Sequence, residues 1–163
     1  MRKAQFSGLR VMIVVLMVFS ISLFVAIKVL GAYQAATQGI FTGVAQEVVN
    51  EGVSALYLFD YVSVVLVVGF GIMSIASSLY IRSHPMFYLA SMLLNALNAF
   101  VAAMVTNAFD KVATSSAFST IAGNLPYTVQ IIRNLPVIMV VLGLVSGVVM
   151  YSGLSMRGTE VRY

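Results

Sequence analysis

Three stretches of this chain, 61–81, 85–109 and 134–156, contain no charged residue, and a fourth, 11–27, stays apolar beyond Lys28 as far as Leu30. A helix needs about 20 mostly apolar residues to cross the hydrocarbon core of a bilayer. The sequence therefore predicts an all-α membrane protein with four transmembrane helices, over about 11–33, 60–81, 85–109 and 134–156. Composition agrees: 61% of the residues are hydrophobic and 9% are charged, whereas soluble domains are about 45–50% apolar and about 25% charged. A water-soluble core of this size has no room for so much apolar surface. A single membrane domain over 1–163 is expected.

The same composition narrows the chemistry. The chain has no cysteine and one histidine, His84, which excludes disulfides, thiolate metal sites and multi-histidine centres within the chain. No charged residue falls near the middle of any expected span, where proton and ion pathways normally carry one. No phosphate loop, dinucleotide fingerprint or nucleophile elbow is present. Catalytic, cofactor-binding and metal-binding residues are accordingly not expected. The net charge of +4 comes from basic residues at span ends rather than from a patch interleaved with aromatics, so nucleic acid is not an expected partner. Arg2, Lys3 and Arg10 precede an apolar run longer than the 7–15 residues or so of a signal peptide, and 11–30 reads as a retained anchor.

Between the spans, Gly31, Ala35, Gly39 and Gly43 recur every four residues, which predicts one small-residue helical face. Ile40, Phe41, Val44, Val48 and Val49 supply an apolar face and Gln46, Glu47, Asn50 and Glu51 a polar one. An amphipathic helix over about 34–58 is expected, either continuing span one or lying on the membrane surface, with Gly52 as its stop. Asp60 opens span two and is placed to cap that helix's own free N–H groups. Arg82, Ser83, His84 and Pro85 form a short connection, with Ser83 or His84 as cap and Pro85 in the first helical turn. Spans two and three are expected to pair as a tight antiparallel hairpin. Within 110–133, residues 127–133 read as one or two helical turns at the interface, and Pro136 starts span four or kinks it.

Four spans put both termini on one side. That side collects Arg2, Lys3, Arg10, Arg82, Arg157 and Arg162, while Lys28, Lys111, Arg133 and four of the five acids fall opposite. The bias places both termini in the cytoplasm. Tyr57, Tyr61 and Tyr127 would form an aromatic belt at the acidic side, and Tyr80, Tyr88 and Tyr151 one at the basic side.

Polar and small residues mark the contact faces. Ser91, Asn95, Asn98, Ala102 and Thr106 share a face of span three, and side-chain amides in lipid seek partners on neighbouring helices. They read as packing glue, with the lining of an oligomeric pore as the sharper alternative. Gly143 and Gly147, beside Ser146, form a GxxxG pair in span four, and Gly71, Ser74 and Ser78 line span two. Such spacing lets backbones approach closely, within one chain or between copies.

The segment from Asp60 through Tyr80-Ile81-Arg82-Ser83-His84-Pro85 to Asn107, and then Asn134-Leu135-Pro136 to Tyr151, resembles small multi-span membrane proteins of viruses, phages included, whose lipid bilayer lies beneath an icosahedral capsid. The resemblance implies a structural virion component that anchors the protein shell to lipid or shapes the membrane. Membrane lipids and other membrane or capsid proteins would be its partners, in a homo- or hetero-oligomer. Two other classes fit the residues: a holin-like permeabilising protein, and an accessory subunit of a cellular membrane complex docking through 34–58.

Overall fold

The computed structural model describes residues 4–37, 39–40, 43–79 and 85–155, and among these there is no strand. Seven helices follow in order among them: α1 (Ala4–Thr37), α2 (Val44–Leu58), α3 (Asp60–Leu79), α4 (Pro85–Ala113), α5 (Ser119–Gly123), α6 (Pro126–Arg133) and α7 (Leu135–Ser155). Four segments are long and apolar enough to cross a membrane: one in α1, the joined α2–α3 stretch, one in α4 and one in α7.

The helical periodicity of α1 explains its placement. Leu9, Met12, Ile13, Leu16, Ser20, Leu23, Phe24 and Ile27 are all buried and recur every three or four residues, which sets them on one stripe of the helix. In α7 the buried positions Leu135, Met139, Ser146 and Met150 repeat the pattern. The opposite faces are apolar too: Val65 is 68% exposed, Phe100 65% and Val148 64%. A fold that buries one apolar stripe and leaves another uncovered is stable against hydrocarbon rather than water. Lipid tails are as apolar as these side chains, so close packing and polar contacts, not the hydrophobic effect, hold the helices to one another.

Cross-helix contacts fix the register. Arg10 meets Asn98 and Phe24 meets Phe109, so α1 and α4 run parallel. Thr106 meets Ile132, and Asn95 lies over Gly143, so α4 runs antiparallel to α6 and α7. Gly71 faces Leu142 and Ser74 faces Ser146, so α3 and α7 run parallel. The start of α1 and the end of α7 therefore share one end of the bundle, called here the base. The four long helices form a ring in the order α1, α3, α7, α4, with the α4–α7 interface the broadest.

This ring does not confirm the expected pairing of spans two and three. Residues 80–84, with Ser83 and His84, lie outside the described residues, and Pro85 opens α4 as anticipated. Among the described residues α3 and α4 stand on a diagonal and share no substantial interface, so a tightly packed hairpin is not confirmed. A short connection constrains where two helices meet at one end. The small and polar faces of α3 and α4 both fit α7 better than each other.

The region after span one also differs from expectation. α1 stops at Thr37, and Gly39 and Gly43 adopt φ of 90° and 70°, a backbone region that side chains rarely enter. These glycines serve a reversal rather than a helical face. α2 then folds back along α1: Gly52 lies against Leu30, and Gln34 Nε2 donates to Asn50 Oδ1 at 2.6 Å. Gly52 does not end α2, which continues to Leu58; the glycine sits inside the helix in ordinary contact range of Leu30. α2 runs into α3 with a break only at Phe59, and the joined stretch is 36 residues long. At 1.5 Å per residue that is about 54 Å, against about 30 Å of hydrocarbon. Phe109 lies four residues before the end of α4, while its partner Phe24 lies thirteen before the end of α1. The difference carries α1 roughly 14 Å past α4. The overhang of α1 and the length of α2 form an arm beyond the bundle, opposite the base.

Replacing Gly43 with alanine should loosen this arm by about 1–3 kcal/mol, because its φ of 70° and ψ of −135° suit glycine alone. Hydrogen exchange of the α2 amides should rise while the thermal midpoint of the bundle holds. Unchanged exchange in α2 would show that the reversal does not depend on this residue.

Candidate functional site

Two polar constellations interrupt the apolar interior. The first stands where the arm meets the bundle. α6 begins with Pro126, which has no N–H, and its N-cap position is Leu125, which offers no side-chain acceptor. The free N–H groups of Tyr127 and Thr128 instead donate to the two carboxylate oxygens of Asp60, at 3.1 and 2.6 Å. Asp60 is 4% exposed. Ser63 Oγ donates to the Asp60 carbonyl at 2.6 Å. That uses its only proton, so Thr128 donates across the 3.0 Å contact to Ser63. Tyr61 and Tyr127 pack beside the lock with ring centroids 5.2 Å apart.

Asp60 thus caps α6 and not its own helix. The physical reason is the near-continuity of α2 and α3: the Val62 N–H already finds the Phe59 carbonyl at 3.0 Å. The carboxylate is left free for an N-terminus that has no local cap, and its charge also suits the positive end of the α6 dipole. At the other end of α6, Arg133 pairs with Asp110 of α4 at 2.7 Å. Phe118, in the turn before α5, stacks on Phe24 at 6.0 Å and closes the core below the arm.

The second constellation lies on the predicted face of α4. Asn98 and Ala102 are buried, and Ser91, Asn95 and Thr106 are half-buried. Thr106 donates to the Ile132 carbonyl at 2.7 Å and satisfies a group near the end of α6. The Asn95 amide occupies the space a side chain at Gly143 would fill. Gly147 is buried. Gly71 admits the Leu142 side chain, and Ser74 meets Ser146 at 3.4 Å across the α3–α7 seam. Buried Ser78 donates within its own helix, to Ile75 at 2.6 Å. Asn95 Oδ1 and Asn98 Nδ2 are buried without a protein partner.

Arg10 joins this face: its Nε donates to Asn98 Oδ1 at 3.3 Å. In sequence Arg10 reads as the flank of span one. In the bundle, Asn98 is thirteen residues into α4, a rise of roughly 20 Å. Arg10 itself stays at the start of the apolar segment of α1, and its side chain reaches along the seam to a residue well inside α4. α1 is shifted along the bundle so that a residue near its start reaches the middle of α4. Among the described residues no group of three or more His, Cys, Asp or Glu is arranged to hold a metal ion. No protein-family model, curated protein or solved structure matches the chain.

Proposed function

We propose that this chain is a structural membrane protein that anchors a protein layer to a bilayer, as in a virion whose membrane lies beneath its capsid. The arm carries the proposal. It projects from a braced bundle, has no buried residue in α2, and presents Ile40, Val44 and Val48 at 73%, 75% and 61% exposure beside Glu47 and Glu51. A mixed apolar and acidic surface left uncovered at the end of the bundle is open to contact with protein. The Asp60 lock and the Arg133–Asp110 pair suit a part whose work is to hold position. In this reading the termini lie on the cytoplasmic side, or the leaflet derived from it. The partners are lipid, shell protein and further copies of the chain, and no catalysis is involved.

Shortening the arm by deleting 34–50 and joining the ends with a Gly-Ser linker tests this. The shortened chain should still enter membranes but should no longer co-purify with the assembled particle or complex. Retention at the full-length level would overturn the proposal. A holin-like role is the second reading, favoured by Asn95 Oδ1 and Asn98 Nδ2, which are buried without a hydrogen-bond partner. It requires dye leakage from cells on expression of the chain alone.

A further inference from the structure

We propose that Arg10, held by Asn98 at the seam of α1 and α4, binds the phosphate of an anionic lipid. A guanidinium has five N–H donors and no acceptor, and beside an apolar span these donors need partners. Among the described residues only Nε finds a partner, Asn98 Oδ1. No carboxylate among the described residues serves as counter-ion: Glu47 and Glu51 are on the arm, Asp60 is committed to α6, and Asp110 to Arg133.

Asn98 explains why the arginine is held rather than free. Its side chain is 97% buried, being 3% exposed. Because Arg10 can only donate, the amide must turn its oxygen toward the guanidinium, which fixes the fork in place. Arg10 itself is exposed on the outside of the bundle. Its anion therefore arrives from the lipid side and not through an interior pore. α1 begins six residues before Arg10, a rise of about 9 Å. A long side chain crosses much of that distance by extending toward the headgroups. The two terminal nitrogens then match two phosphate oxygens in a planar fork. A net negative headgroup is favoured over a zwitterionic one because it neutralises a cation that meets no carboxylate among the described residues.

The full-length chain in a neutral detergent should retain phosphatidylglycerol over phosphatidylcholine by about tenfold or more in native mass spectra. Phosphatidylglycerol should also raise its thermal midpoint by several degrees. Arg10→Gln should abolish both effects, and Arg10→Lys, which keeps the charge without the fork, should retain a reduced preference. Inorganic phosphate at millimolar concentration should leave the midpoint unchanged. Equal retention of the two lipids by the wild-type chain, a test that needs no variant to fold, overturns the proposal. So does an unaltered preference in Arg10→Gln. Stabilisation by inorganic phosphate equal to that by the lipid overturns the lipid as source and assigns the site to a free anion. None of these outcomes depends on the role of the arm, so this inference and the proposed function fail separately.

Discussion

Replacing Asp60 with leucine should destabilise the bundle by about 3–6 kcal/mol, since two hydrogen bonds to a buried carboxylate contribute about 1.5–3 kcal/mol each. The loss should be local first. The amides of Tyr127 and Thr128, which donate to that carboxylate at 3.1 and 2.6 Å, would have no acceptor, because Leu125 and Pro126 provide none. Asp60→Asn keeps one carbonyl oxygen and turns an NH₂ toward the other donor, so about half of the effect is expected. Hydrogen exchange at 127 and 128 and thermal unfolding in detergent measure the two consequences. If Asp60→Leu leaves both unchanged, α6 is held by packing alone and the lock is incidental.

The second large effect concerns Gly143. A methyl group added there occupies the volume of the Asn95 amide. Overpacking of this kind costs about 1–3 kcal/mol when neighbours have to shift. Gly143→Ala should fall within that range, and Gly143→Ile with Gly147→Ile should part α4 from α7, the broadest interface of the ring. Truncating the opposing side chain provides the control. Asn95→Ala with Gly143→Ala should recover most of the steric loss, giving a favourable coupling of about 1 kcal/mol or more in the double-mutant cycle. Additive losses would mean that Asn95 and Gly143 do not meet in the folded bundle.

Both predictions depend on features the sequence exposed unequally. The spans were legible because a bilayer demands length and apolarity, and both can be read residue by residue. The polar face of α4 was legible for the same reason: Asn95, Asn98 and Thr106 repeat with the helix. Gly143 was marked as a close-approach position by spacing, although the amide that fills its space belongs to a helix reached only through the fold. The partner of Asp60 lay beyond local reading, because Tyr127 and Thr128 are more than sixty residues away. One signal was present: Leu125-Pro126 starts a helix with no capping side chain, so the cap had to come from elsewhere. Gly39 and Gly43 mislead because a glycine at helical spacing serves a packed face or a reversal equally well, and Gly52 misleads because a glycine within a helix looks the same in sequence as one that ends it. Arg10 was hidden by helix offset. A flanking residue comes to meet the middle of a neighbouring helix when the two helices are offset along their axes, and no local pattern records that displacement.

The claim beneath all of this is that lipid surrounds the bundle while the arm stands in water. The chain has no native cysteine, so single cysteines report without background. Glu47→Cys, Val65→Cys and Val148→Cys should be reconstituted separately into sealed vesicles and exposed to a membrane-impermeant maleimide. Glu47→Cys should label readily in the population whose arm faces outward. Val65→Cys and Val148→Cys should stay unlabelled although their side chains are 68% and 64% exposed on the bundle surface. Labelling of Val65→Cys and Val148→Cys at the rate of Glu47→Cys would contradict it, since those faces would then meet water and not hydrocarbon.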